Sequence, residues 1–217
     1  MGQKPGPHRR RGRYNWQLLT AMLPMPGAPN RTGGTEATPP ARVFIGLKVA
    51  PEIADELARL AKSIEQPSVR LIAPADIHLT LVPPWNEPSI PEATEKLRRV
   101  TGRFAAFRLT FEHVGYGPQK RRPRLLWVSC AAGDEIARLH AALREAFGER
   151  DERPFQPHVT IARMREKGFA IARRHPIDQP LSLRQRVETV ELFQSPPPGA
   201  SGYRVLASLR LGAASDP

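Results

Sequence analysis

Two four-residue stretches, His78-Leu79-Thr80-Leu81 and His158-Val159-Thr160-Ile161, repeat one order of residue types: His, apolar, Thr, apolar. Successive side chains of a β-strand point to opposite faces, so residues i and i+2 share one face. His78 and Thr80 would face one way while Leu79 and Leu81 enter a core, and the second stretch repeats the arrangement. An imidazole gives or takes a proton near neutral pH, and a hydroxyl hydrogen-bonds a phosphoryl oxygen. Two such pairs brought together would form a metal-free site for general acid–base chemistry on a phosphodiester. The bland alternative is two unrelated strands, each with a locally satisfied histidine. Apolar residues at both alternate positions of both copies argue against it.

Placing these stretches side by side needs strands and helices in both halves of the chain. Residues 43–49 read as a strand. Pro51 opens a helix with Ile53, Leu57, Leu60, Ala61 and Ile64 at helical spacing. A short strand at 69–72 and a turn at 74–76 lead into the first motif. A second helix is expected over 92–101, stopped by Gly102, and further strand from Phe104 through Val114. A basic loop, 119–124, precedes an apolar strand at 125–131. Residues 134–147 form an amphipathic helix with Ile136, Leu139, Leu143 and Phe147 on one stripe. The second motif follows a polar turn at 149–153. Residues 164–180 fit a short helix or a loop equally well. Two last strands are expected over 183–193 and 203–211. Each half thus supplies one motif, and pattern alone indicates an α+β protein.

Composition sets the frame. The chain has 217 residues, 40% of them apolar and 25% charged, with 24 prolines, which describes a soluble globular protein with one substantial core or two small lobes. Lys and Arg number 33 against 21 Asp and Glu, for a net charge of +12, and residues 42–217 alone keep +7. A positive body attracts polyanions such as RNA without specifying any of them. The single cysteine, Cys130, lies in an apolar run and reads as a buried structural thiol, which suits a reducing cytoplasm. Residues 1–41 carry an arginine cluster and Pro/Gly-rich stretches, and read as a disordered basic extension. The apolar patch Trp16-Gln17-Leu18-Leu19 is too short and too broken for a secretory signal, and no stretch approaches a membrane span. His8, His113, His140 and His175 lack a matching partner. There is no Cys-x-x-Cys, no His-x-His and no phosphate-binding Gly-rich loop ending in Lys, so neither a metal site, nor a cofactor, nor an NTPase is expected.

The paired motifs resemble those of the two-histidine (2H) phosphoesterase superfamily, and within it the bacterial and archaeal RNA 2′,3′-cyclic phosphodiesterases, also called 2′-5′ RNA ligases. Arg42-Val43-Phe44-Ile45-Gly46-Leu47 is similar to that family's opening strand and Leu125-Leu126-Trp127-Val128 to its central strand. Phe155-Gln156-Pro157-His158 through Arg163 is similar to its second motif with both flanks. Leu192-Phe193-Gln194-Ser195 and Tyr203-Arg204-Val205-Leu206 fit its last two strands. Relatives usually follow the first motif with a Phe-Leu-Gly-type turn, and here the chain reads Val82-Pro83-Pro84-Trp85-Asn86-Glu87-Pro88.

The resemblance implies a bilobal α+β domain over residues 42–212, flanked by the 1–41 extension and a 213–217 tail. Two antiparallel sheets would face a central cleft, with helices outside. It implies hydrolysis of a cyclic phosphodiester, RNA or nucleotide 2′,3′-cyclic phosphate opening to a 2′-phosphate, with no cofactor. By the same resemblance His78 is the general acid, His158 the general base, and Thr80 and Thr160 hold non-bridging oxygens. The near symmetry of the motifs leaves the choice of acid and base open. Arg163, five residues after His158, and the aromatic residues Trp85, Phe155 and Tyr203 are expected as substrate contacts. The expected partners are RNA 3′ ends or small cyclic nucleotides, met by a cytoplasmic monomer. A nucleotide-binding module with little turnover, and a 2′-5′ ligase running the reverse reaction, are the alternatives.

Overall fold

The structure, a computed structural model, describes residues 40–119, 121–149, 154–165, 167–197, 200 and 202–212. The expected 1–41 extension, save its last two residues, and the 213–217 tail lie outside them. Nine strands and four helices are present among the described residues. They run β1 (Ala41–Lys48), α1 (Pro51–Ala61), β2 (Val69–Leu71), β3 (His78–Glu87), α2 (Ile90–Thr101), β4 (Phe107–Gly117), β5 (Leu125–Ala131), α3 (Glu135–Phe147), β6 (His158–Met164), α4 (Gly168–Arg174), β7 (Gln179–Val187), β8 (Thr189–Gln194) and β9 (Arg204–Arg210).

Every pairing between these strands is antiparallel, which bears out the α+β class. The strands follow one path, β7-β4-β5-β6-β3-β1-β8-β9, with β2 added to β6. Where two sheets were expected, the nine strands join in one continuous sheet with two halves. They meet where β3 pairs with β6 through one residue pair, Leu79 with Val159. Both side chains are fully buried, so the seam is held by core packing more than by ladder hydrogen bonds.

The helices form for local reasons and cover the core face. α1 starts at a proline, carries Glu52 in its first turn and buries Ile53, Ala54, Leu57 and Ala61. It packs on β6 and on the turn Pro74–Asp76 that leads into His78. α2 begins two residues earlier than its pattern suggested, because the Ser89 hydroxyl accepts the Glu92 N–H at 3.4 Å and Pro91 fits the first turn. α3 packs on β3. The first and third helices therefore each lie against the motif strand of the other half.

Two stretches differ from expectation. Residues 164–180 hold the end of β6 and the short helix α4. The single strand expected over 183–193 is two strands broken at Glu188: β7 pairs with β4 at one end of the path, and β8 pairs with β1 and β9 at the other.

Candidate active site

Each motif opens its strand and sits at the inner edge of its half. The antiparallel pair Leu79–Val159 sets His78 across from Thr160 and Thr80 across from His158, so each histidine meets the other motif's threonine. The burial patterns match: His and Thr half-buried, Leu79, Leu81, Val159 and Ile161 buried.

The last residue of each motif has a second property. Thr80 pairs with Gly46 and Val82 with Ile45, which leaves Leu81 as an extra residue in β3. In β6, Thr160 pairs with Trp127 and Ala162 with Leu126, which leaves Ile161 extra in the same way. Such a bulge shifts the alternation by one. Residues 162 and 82 are therefore buried, and position 163 returns to the histidine face.

Identical contacts orient the two rings. His78 Nδ1 donates to the Asp76 carbonyl at 2.7 Å, and His158 Nδ1 donates to the Gln156 carbonyl at 2.7 Å. A carbonyl only accepts, so each Nδ1 carries a hydrogen and each Nε2 is left for substrate, as an acceptor in the neutral ring and as a donor in the imidazolium. The surroundings differ. His78 lies among Phe44 (ring centroids 4.7 Å apart), Tyr203 (4.9 Å, edge-on) and Phe193 (5.6 Å). His158 lies against Trp127 at 4.5 Å. Gly117 makes room for that indole, since a Cβ there would overlap the ring. Gly46 is required differently: a Cβ would stand 2.6 Å from the Leu79 carbonyl oxygen, so only glycine lets β1 lie this close to the first motif.

Burial pushes the pKa of both histidines below the usual value, against the opposing pull of their carbonyl partners. The Arg163 guanidinium lowers both further. His78 also senses the His158 ring, which lowers it, and the Asp76 carboxylate, which raises it. The two imidazoles and Arg163 thus share one electrostatic site. Arg163 stands on β6 directly opposite Arg70 of β2 and Leu125 of β5.

Two concavities border the motifs. One, of about 510 Å³, is lined by Thr80, Pro83, Trp127, His140, Phe155 and His158 among others. The other, of about 450 Å³, is lined by Arg70, Asp76, Arg163, Gly202, Tyr203 and residues of the 71–75 stretch. A larger one, of about 690 Å³, lies beside α1 and contains none of the motif residues. Size alone would point to it, but it offers no acid–base group of the kind the motifs supply.

Of the expected site residues, His78, Thr80, His158, Phe155, Arg163 and Tyr203 gather at or beside these concavities. Thr160 stands in register with Trp127 on the motif strand. Phe155 stacks on His140 at 3.8 Å with the rings nearly parallel. Tyr203 is tied to the first motif by its backbone N–H, which donates to Asp76 Oδ1 at 2.9 Å. Trp85 does not join them. A second register shift, between Val82 and Trp85, cancels the first and turns Trp85 to the core face. There it packs on Phe147, and its Nε1 donates to Glu87 at 2.9 Å.

Phe44, Phe193, Trp127 and His140 were not foreseen as neighbours of the site. Trp127 alone left a signal, its place in the alternation Leu125, Trp127, Ser129. Cys130 is buried, and burial pushes its thiol up to about 12, in keeping with a structural role. Among the described residues no group of three or more His, Cys, Asp and Glu gathers, and no helix is long and apolar enough to cross a membrane.

Residues 49–195 match the family described as the 2′-5′ RNA ligase superfamily. The chain is 28% identical over 137 residues to the RNA 2′,3′-cyclic phosphodiesterase of Archaeoglobus fulgidus, which spans 60% of this chain and 77% of the relative. With the protein of that name from Aeropyrum pernix it shares 31% over 121 residues, 50% of this chain and 66% of the relative. Among solved structures, TT0787 of Thermus thermophilus superposes with a TM-score of 0.68 at 23% identity, covering 80% of this chain and 99% of that one. E. coli LigT complexed with 3′-AMP superposes with a TM-score of 0.63 at 23% identity, covering 79% and 98%. At these identities the two structures speak to the fold.

Proposed function

The chain belongs to the 2′-5′ RNA ligase superfamily, and from that membership we propose that it opens RNA or nucleotide 2′,3′-cyclic phosphates to 2′-phosphates without a metal ion. The observation that carries this reading is the pair of histidines with Nδ1 fixed by a carbonyl and Nε2 left for substrate, each set across from the other motif's threonine. His158 Nε2 takes a proton from water as the water oxygen bonds to phosphorus. The bond from phosphorus to O3′ breaks, and the proton on His78 Nε2 passes to O3′. The Thr80 and Thr160 hydroxyls donate to the non-bridging oxygens, and Arg163 offsets the charge that builds there. Burial lowers both rings most, and His78 is assigned as the acid because it alone has a carboxylate, Asp76, acting in favour of its protonated form.

The test is turnover of a nucleoside 2′,3′-cyclic phosphate after exhaustive chelation. A 2′-phosphate product formed at an undiminished rate is expected. Lack of hydrolysis, or activity that returns only with a divalent ion, refutes the reading. An RNA acceptor bearing a 5′-hydroxyl, added to the same assay, reports joining if it occurs.

The domain proper is taken as residues 42–212, working as a cytoplasmic monomer on RNA 3′ ends or small cyclic nucleotides, and the preceding residues are taken as dispensable for chemistry. Protein starting at Pro40 should keep its turnover on the mononucleotide and elute as a monomer in gel filtration. Loss of activity on the mononucleotide would put the boundary elsewhere.

A further inference from the structure

The two arginines of the smaller concavity stand in an arrangement that packing alone does not favour. Arg70 and Arg163 are cross-strand partners on β2 and β6, so their side chains leave the same face of the sheet side by side. Like charges placed directly opposite each other repel. Both residues are exposed, and among the described residues neither has an ion pair or a side-chain hydrogen bond. The nearby carboxylate, Asp76, accepts from the Tyr203 backbone N–H and makes no ion pair with either. A concavity of about 450 Å³ therefore opens between two cations, the Tyr203 ring and the turn that leads into His78. Arg163 acts on both catalytic imidazoles, and Arg70 stands one strand further out, about 4.8 Å away in the pairing direction.

We propose that this concavity is a second phosphate subsite, in which Arg70 and Arg163 hold the 5′-phosphate of the nucleotide whose cyclic end lies between the histidines. The inference rests on the reading of the histidine site given above. In RNA that 5′-phosphate is the diester to the preceding nucleotide, and in a mononucleotide it is a terminal group. Two guanidiniums match a phosphate's oxygens with several charge-assisted hydrogen bonds, and an anion between them removes the repulsion that the empty pair suffers. Arg70 is thus the specificity-determining residue, one that contacts the part of the substrate that does not react.

Three substrates test this: a nucleoside 2′,3′-cyclic phosphate, the same compound with a 5′-phosphate, and a dinucleotide ending in a cyclic phosphate. The two that carry the additional phosphate should show a kcat/KM about tenfold higher, with the gain in KM. In Arg70→Gln the ratio between them and the first should fall to about one, and Arg70→Lys should restore part of it. Gain with the dinucleotide alone, lost in Arg70→Gln, assigns the subsite to the RNA diester. Gain with both assigns it to phosphate in either setting. Equal kcat/KM for all three in the unaltered protein, or a preference that survives Arg70→Gln, overturns the proposal while leaving the hydrolytic reading intact.

If none of the three is hydrolysed, the functional reading falls and binding decides the subsite. A nucleoside 2′-phosphate should then bind more tightly with a 5′-phosphate than without, and Arg70→Gln should erase the difference. Equal binding would refute the subsite too. Thermal melting controls for structure: with one of two opposed cations gone, Arg70→Gln should melt no lower than the parent. A lower melting point would show that Arg70 holds the fold together, which overturns the assignment.

Discussion

Opposite the motif threonine, β1 carries Gly46 and β5 carries Trp127. Five residues after the histidine, β3 carries Pro83 and β6 carries Arg163. The two motif strands share a sequence pattern, a bulge position, a ring-orienting carbonyl at 2.7 Å and a place at the inner edge of a half-sheet. Their neighbours diverge at the same register positions. One histidine sits among Phe44, Phe193 and Tyr203 with backbone close beneath and the Asp76 carboxylate acting on it, and the other sits under an indole. Acid–base catalysis needs two imidazoles with opposite proton states, and identical environments would give them identical affinities. The structure keeps the geometry symmetric and makes the electrostatics and packing unequal.

The strongest way to break this comparison is to remove one histidine at a time. His78→Ala and His158→Ala should each lower kcat by about 10²–10⁴ while the protein stays folded, because general acid and general base act in one step. Single-turnover rates and a circular dichroism spectrum check both halves of that statement. Near-normal turnover in one of the two would show that only one motif does chemistry.

A smaller effect is expected from the glycine beneath the first motif. Gly46→Ala puts a Cβ 2.6 Å from the Leu79 carbonyl oxygen, which is backbone and cannot swing aside. It should cost about 1–3 kcal/mol, the range for overpacking. Trp127→Gly, the reciprocal change, should loosen the His158 ring without moving its strand. Chemical denaturation of both variants tests whether the two positions really differ in kind. An unchanged midpoint for Gly46→Ala would show that the close approach of β1 is not required.

The finest test concerns charge. Both histidines titrate below the usual 6.5, so both limbs of a kcat/KM profile should lie on the acid side of that value. Arg163 lowers both by disfavouring the protonated ring. Arg163→Gln makes protonation easier, and both limbs should therefore move to higher pH. Pro83→Gln, at the equivalent place in β3, removes no charge and should leave the limbs where they are. A profile insensitive to Arg163 would mean that burial and the remaining neighbours set the two values without it.

Which of this could be read from the sequence follows from how local each feature is. The histidines, the threonines and their buried partners obey strict alternation, so four residues sufficed to orient them. Arg163 is five residues from His158, and the same alternation would have buried it. Only the pairing of Ile161 with no residue of β5 returns it to the site, and a bulge is a property of two strands together. Trp85 shows the converse, since its second shift depends on β1. The stretch 183–193 offered no turn residue at Glu188, yet the chain changes partners there, from β4 to β1 and β9. Helix ends fared unevenly: Pro51 and Gly102 marked theirs, whereas the start that Ser89 caps was read two residues late. Arg70 lies in a strand of three residues whose meaning comes wholly from the strand opposite.

The exchange of partners at Glu188 also fixes the order in which the molecule can be completed. The half around His158 is assembled from β2 and the unbroken run β4 to β7, and all of it has left the ribosome once Val187 has emerged. The half around His78 waits longer, because β1 must hold a place for β8 and the Lys48 N–H for Glu191, 143 residues downstream. Until then Gly46 and Phe44 lie along an unpaired edge, the kind of surface that adds foreign strands. The second motif is thus framed early by its near neighbours, and the first is closed later, by β8 and β9.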